Sequence, residues 1–336
     1  MTPQLLRFDE FVEWALYDPT EGFFARGAGP GRRADFITSA EVGPLFGLVL
    51  ARAVDAWWDE AGRPDEWWFV DAGAGRGTLA RSLWQARPRC ADALRLVLVE
   101  RSASLRRLHA EHLPLERTSS VETMPTEPFD GVIVANELLD NVPFRLLERV
   151  EGGWRDVVVD LATGEESLGA SPVDPPMALD APTGARVPLQ ELAAEWVRAS
   201  RSLLRTGRLV VIDYAAATPD LAARPWTEWV RTYRAHDRGV HPTAAPGTQD
   251  ITVDVAPDQL AALAGPPDVD VAQADYLRRW GLDELVDEGR RIWTERAHIG
   301  DLAAIRGRSR VREAEALTAS PGLGDHRVLE WTPPSP

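Results

Sequence analysis

The 336-residue chain has no lysine: all 37 of its Lys/Arg positions are arginine, set against 52 aspartates and glutamates for a net charge of −15. A nucleic-acid binder ordinarily announces itself by a basic face, and with no basic run in evidence, nucleic acid is not an expected partner. There is one cysteine, Cys90, so an intrachain disulfide is excluded and a thiolate metal site has no basis. The six histidines are scattered. His109 and His112 lie three apart on an expected helix, but no acidic or third-ligand pattern surrounds them. They read as an exposed helix face, and no metal is expected. No run of about 18 apolar residues occurs, so no membrane span is expected. The opening residues lack a basic head followed by an apolar stretch and are too acidic for a transit peptide, which sets the expectation of a cytoplasmic protein.

What the chain does have is enough apolar residue, 44%, for a large core. Residues 1 to 65 read as a helical N-terminal cap, with Phe8, Phe11, Val12, Ala15 and Leu16 at helical spacing and Phe46 to Trp58 again amphipathic. The rhythm then changes. Short apolar runs at Trp67–Val70, Leu94–Val99, Gly131–Ala135 and Arg208–Ile212, and a weaker one near Ser119–Val121, alternate with helical patterns over Thr78–Ala86 and Ala103–His112. Arg327–Trp331 reads as a last strand. This alternation predicts an α/β fold with a parallel sheet covered on both faces, spanning residues 66 to 331. Insertions are expected at about 144–188, where two strands flank Gly152-Gly153 as a hairpin, and at about 215–265. The tail, 332 to 336, is expected to fray.

The first strand runs into Asp71-Ala72-Gly73-Ala74-Gly75-Arg76-Gly77. Glycines after a strand let the backbone approach a ligand with no Cβ in the way, and the amides opening the helix at Thr78 and Leu79 suit an anionic group. Dinucleotide sites space their glycines G-x-G-x-x-G. Here Gly73, Gly75 and Gly77 read G-x-G-x-G, which with Asp71 points to S-adenosyl-L-methionine as cofactor rather than NAD. Asp71 suits the cofactor's amino group and the helix amides its carboxylate. Glu100, ending the second strand, can grip both ribose hydroxyls, and Arg101 and Ser102 follow it. Asn136-Glu137-Leu138-Leu139-Asp140 lies after the fourth strand, where doubly wound sheets place the ligand's reactive end.

These motifs resemble the MidA-like methyltransferases over most of the chain: Leu16-Tyr17-Asp18-Pro19, Glu21-Gly22-Phe23-Phe24, Asp35-Phe36-Ile37-Thr38-Ser39-Ala40-Glu41, the string Ala135 to Pro143 with Trp154, Tyr233-Arg234-Ala235-His236 and Pro246 to Thr252. The resemblance implies a class I, Rossmann-like, mostly parallel seven-stranded sheet with a helical N-terminal part and insertions. It implies transfer of a methyl group to a protein arginine, as in the mitochondrial member that assists assembly of respiratory complex I. The chain departs from the family pattern at Asp71, where relatives carry glutamate, and at Ala40, where they carry proline. Its C-terminal signature is faint in Gly322 to Val328.

A guanidinium stays protonated, and paired carboxylates can hold it and aim one nitrogen at the methyl group. Glu137 and Asp140 are the expected clamp, Glu41 a further substrate contact, His236 the proton acceptor, and Gly27 to Arg33 a lid. Two other readings compete: a small-molecule methyltransferase of secondary metabolism, and a non-catalytic cofactor-binding assembly factor. Intact Asn136, Glu137 and Asp140 argue against the second.

Overall fold

The structure is a computed structural model that describes residues 4–26, 38–111, 113–175, 177–234 and 237–334. Seven strands form the central sheet: β1 (Trp67–Ala72), β2 (Leu94–Val99), β3 (Thr118–Val121), β4 (Phe129–Asn136), β5 (Leu204–Asp213), β6 (Val269–Ala272) and β7 (Arg327–Trp331). Their order across the sheet is 3-2-1-4-5-7-6. Strands β1 to β5 pair in parallel, and β7 runs against both β5 and β6. The order reverses between β1 and β4, so a crevice opens there at the carboxyl ends of the strands.

The continuous apolar runs of β1, β2 and β4 follow from burial on both faces. One face is covered by Pro44–Glu60 and Thr78–Gln85, with Phe46, Val49, Leu50 and Leu83 on Phe69, Leu96 and Val134. The other is covered by Glu191–Ser202 and Pro257–Ala264, with Val197 and Leu260 on Val70, Ile133 and Val211.

The first insertion is a small antiparallel sheet of Arg145–Val150, Gly153–Asp160, Glu166–Val173 and Arg186–Leu189. The expected hairpin forms where Val150 pairs Gly153. The described part of the N-terminal segment expected at 1–65 is helical at Phe8–Tyr17, Ser39–Val42 and Pro44–Glu60, with one strand added. Leu5–Arg7 is a strand pairing with this insertion, Leu5 opposite Asp160. Phe8, Phe11 and Leu16 of the following helix, Phe8–Tyr17, pack on Phe144, Leu146 and Val157, while Pro44–Glu60 joins the main core.

Other boundaries shift too. Of the helix expected over 103–112, the described residues are helical only at Ala103–Arg106. The second insertion, with Val230–Arg234 paired to Asp250–Val253, ends before Pro257–Ala264, which covers the main sheet. The tail is anchored at its start, because Thr332 donates from both its backbone N–H (2.6 Å) and its hydroxyl (2.9 Å) to Asp268. Among the described residues no helix is long and apolar enough to cross a membrane.

Candidate cofactor and acceptor site

A cavity of about 560 Å³ opens at the β1/β4 crevice, lined by the glycine loop, the ends of β2 and β4, and residues Tyr17, Phe24, Thr38, Ala40 and Glu41 of the N-terminal segment. That volume suits a nucleoside-sized ligand.

The loop is pinned from three sides. The amides of Gly73 and Ala74 both donate to Val99 O, at 3.0 and 2.9 Å. The amide of Gly75 donates to Glu100 Oε2 at 2.9 Å. The carbonyl of Gly75 accepts from His109 Nε2 at 2.9 Å. Because that oxygen can only accept, Nε2 carries the proton, and Nδ1 accepts from the Ser120 hydroxyl at 2.8 Å. Gly75 holds φ 54° and Gly77 φ 76°, and a Cβ on Gly77 would come 2.8 Å from Leu98 Cδ2. The close approach of loop to β2 therefore requires glycine there.

His109 corrects the sequence reading: it is 1% exposed, not an exposed helix face, while His112 lies outside the described residues. Among the described residues no cluster of metal-ligating side chains forms. Burial holds the His109 imidazolium below its ordinary range, so the ring stays neutral and keeps both contacts. Nothing in the sequence separated it from a surface histidine, since its partners lie on a loop and a strand 34 and 11 residues away. His109→Phe removes the bond to Gly75, and S-adenosylhomocysteine affinity by calorimetry is expected to fall up to about tenfold. His109→Gln, whose amide still reaches as a donor, retains most of it. Equal affinity in the Phe variant and the wild type would show that the ring merely fills space.

The acids divide by environment. Asp71 is 3% exposed, lines the cavity, and has an Oδ2 with no hydrogen-bond partner. Burial, with the negative charge of Glu100 adding to it, pushes its carboxyl up to about 7. Glu100 accepts from Gly75 N and, at 2.8 Å, Ser102 N. Each oxygen keeps a lone pair for a further donor, and burial raises its pKa.

Glu137 also lines the cavity and sits at φ 52°, in the left-handed region that non-glycine residues rarely enter. Its Oε1 accepts from Ser39 N at 3.0 Å and Asn136 Nδ2 at 3.3 Å. Withdrawal from water, then the charge of Asp140, pushes it up to about 8. Asp140 is 3% exposed and sits behind the wall rather than on it, with its N–H on Asp213 Oδ2 at 3.2 Å. Burial raises its carboxyl to about 7, opposed by the positive charge of Arg231.

Of the sequence candidates, Asp71, Gly73, Gly75, Thr78, Leu79, Glu100, Arg101, Asn136, Glu137 and Glu41 line this one cavity. Gly77, Ser102 and Asp140 are not among its lining residues. His236 and the Gly27–Arg33 loop lie outside the described residues. Glu41 Oε1 accepts from the Thr78 hydroxyl at 2.5 Å, which ties it to the start of the glycine-loop helix. Asp213 was passed over, although it ends β5: its Oδ2 also accepts from Leu139 N at 2.9 Å, holding the turn that carries Glu137.

A family model described as "putative S-adenosyl-L-methionine-dependent methyltransferase" matches residues 49–272. The chain is similar to the mitochondrial protein arginine methyltransferase NDUFAF7 of Danio rerio, 24% identical over 320 residues covering 82% of this chain and 72% of that protein. It is also similar to that of Bos taurus, 25% identical over 325 residues covering 82% and 69%. Among solved structures, a protein of Burkholderia thailandensis bound to S-adenosylhomocysteine superposes with a TM-score of 0.81 at 26% identity, covering 98% of this chain and 88% of that one.

Proposed function

The chain belongs to this family of S-adenosyl-L-methionine-dependent methyltransferases, and from that premise we propose that its methyl acceptor is an arginine side chain of a protein. The observation that carries the reading is Glu137, a carboxylate held out of its ordinary ionisation range on the wall of the cofactor cavity, with Asp140 behind it. The relatives named as arginine methyltransferases support it.

The residues present fit the cofactor. The unpartnered Asp71 Oδ2 suits its amino group, Glu100 its ribose hydroxyls, and the amides opening Thr78–Gln85 its carboxylate. When bound, S-adenosyl-L-methionine supplies an electrophilic methyl group on a sulfonium. The protein's own work is alignment and charge. Glu137 in its ionised form pairs with the incoming guanidinium through charge-assisted hydrogen bonds and orients one nitrogen. Asp140 adds negative potential from behind. Once the methylated guanidinium gives up its extra proton, a carboxyl that titrates near neutrality can take it; His236 is the second proposed acceptor.

Asp71 gives this assignment a proton signature. Its carboxyl, held near 7 in the cofactor-free protein, is mostly protonated at lower pH. A cofactor ammonium favours the ionised form, so binding ejects a proton. Cofactor affinity is expected to rise as pH rises through about 7. Calorimetry at pH about 6, in buffers of differing ionisation enthalpy, is expected to show proton release that Asp71→Asn abolishes. Heats independent of buffer would remove Asp71 from the contact.

The acceptor is tested by incubating the enzyme with cell extract and isotopically labelled S-adenosyl-L-methionine. The label is expected on arginine in digested protein. Label confined to small molecules, with none in protein, would overturn the proposal.

A further inference from the structure

The helices Leu282–Arg296 and Leu302–Leu317 form an antiparallel hairpin. Gly289 and Gly307 let them touch, since a Cβ on Gly289 would come 2.7 Å from Gly307 O. Arg310 bonds across to Leu285 O at 3.1 Å and to Glu288 at 2.7 Å. The turn at the tip is fixed by Asp301, which caps the second helix through Ala304 N at 3.0 Å and pairs with Arg296.

Two features of the hairpin point outward, beyond the bonds that hold it together. Its tip carries large aliphatic side chains facing water: Ile299 is 57% exposed, Leu302 71% and Ile305 55%. Leu302 and Ile305 lie three apart, on one side of the helix. The arginines of the hairpin are also concentrated. Residues 290–312 hold seven arginines against two acids, in a chain whose net charge is −15. Along the hairpin, Arg290, Arg308, Arg312 and Glu315 border a groove with Trp293, the Arg308 guanidinium 5.1 Å from the Trp293 ring and Arg290 paired with Asp287 at 3.0 Å.

We propose that this hairpin docks the protein on an anionic lipid surface, its tip aliphatics entering the headgroup boundary and its arginines meeting lipid phosphates. Charge complementarity selects the partner, because the outer half of the hairpin, residues 290–312, carries a charge opposite to that of the chain as a whole. The shape favours lipid over an acidic protein. Protein interfaces seat aromatic and arginine anchors in well-packed pockets, whereas here the apolar residues stand out from a turn with basic side chains beside them, as in interfacial elements. The base of the hairpin is tied to the site: Glu313 Oε2 accepts from Leu45 N at 2.8 Å, and Leu317 O accepts from Gln273, whose Oε1 takes the hydroxyl of Ser39 at 2.9 Å. Docking at the tip would thus leave the cavity formed.

The test is co-sedimentation of the full chain with phosphatidylcholine vesicles, with and without phosphatidylglycerol. Partition into the anionic vesicles is expected, weakening with salt, and none into the neutral ones. Leu302→Asp with Ile305→Asp, and separately Arg308→Glu with Arg312→Glu, are expected to reduce it at least about tenfold. S-adenosylhomocysteine affinity should be unchanged in both, which shows that they fold. No partition of the wild type at low salt would overturn the proposal, as would equal partition of the aspartate variant. Capture by poly-glutamate without vesicle binding, or displacement from vesicles by millimolar-range inorganic phosphate alone, would overturn it as well.

Discussion

Replacing Glu137 with glutamine is expected to lower kcat by about a thousandfold, on the scale of removing one preorganised charge-stabilising group, while changing S-adenosylhomocysteine affinity less than about twofold. The split arises from where the side chain stands. Its Oε1 accepts from Ser39 N and Asn136 Nδ2, and a glutamine oxygen can take both bonds, so the turn at φ 52° is kept. What is lost is the negative charge. The wild-type carboxyl sits near 8 in the free enzyme, and it must be ionised to pair with a guanidinium. Its kcat/KM is therefore expected to rise with pH and level off above about 8. The residual activity of Glu137→Gln should lack that rise. Steady-state kinetics across pH with calorimetry on both proteins checks this. A variant that keeps more than about a tenth of wild-type turnover would remove Glu137 from the chemistry.

Gly75→Val carries the second large effect, in the opposite quantity. At φ 54° a β-branched residue is strongly disfavoured. The peptide on either side is held by Glu100 Oε2 and His109 Nε2, so the backbone cannot relax without releasing the residue proposed to hold the ribose. S-adenosylhomocysteine affinity is expected to fall at least a hundredfold, about 2.7 kcal/mol, with the sheet intact by far-ultraviolet circular dichroism. Gly75→Ala, still strained but unbranched, should lie between. An unchanged dissociation constant in a folded Gly75→Val protein would place the ligand elsewhere.

The central sheet was legible because its strands are short apolar runs buried on both faces, each ending in a polar residue at the crevice: Asp71, Glu100, Asn136 and Asp213. Strand β6 was not, since Val269–Ala272 is a four-residue edge strand with an exposed middle. The N-terminal residues were legible in part. The periodicity of Phe8 to Leu16 reports that a face is buried without saying against what, and its partners, Phe144 to Val159, lie more than a hundred residues on. At the site, side chains on the glycine loop and the strand ends could be named because their neighbours in sequence are their neighbours in space. His109 and Asp213 could not, because each acts through a hydrogen bond to a distant backbone group. Asp140 shows the reverse limit. It was expected to share the clamp with Glu137, whereas the short 3-10 turn at Leu139–Asn141 turns it inward to Asp213 and the Arg231 charge.

The central claim is that the glycine loop holds the cofactor with its reacting end toward Glu137. A crystal structure of the S-adenosylhomocysteine complex tests it most directly. The account predicts the amino group on Asp71, the ribose hydroxyls on Glu100, and the sulfur on the Glu137 side of the cavity. A ligand whose ribose misses Glu100, or whose sulfur points away from Glu137, would contradict it.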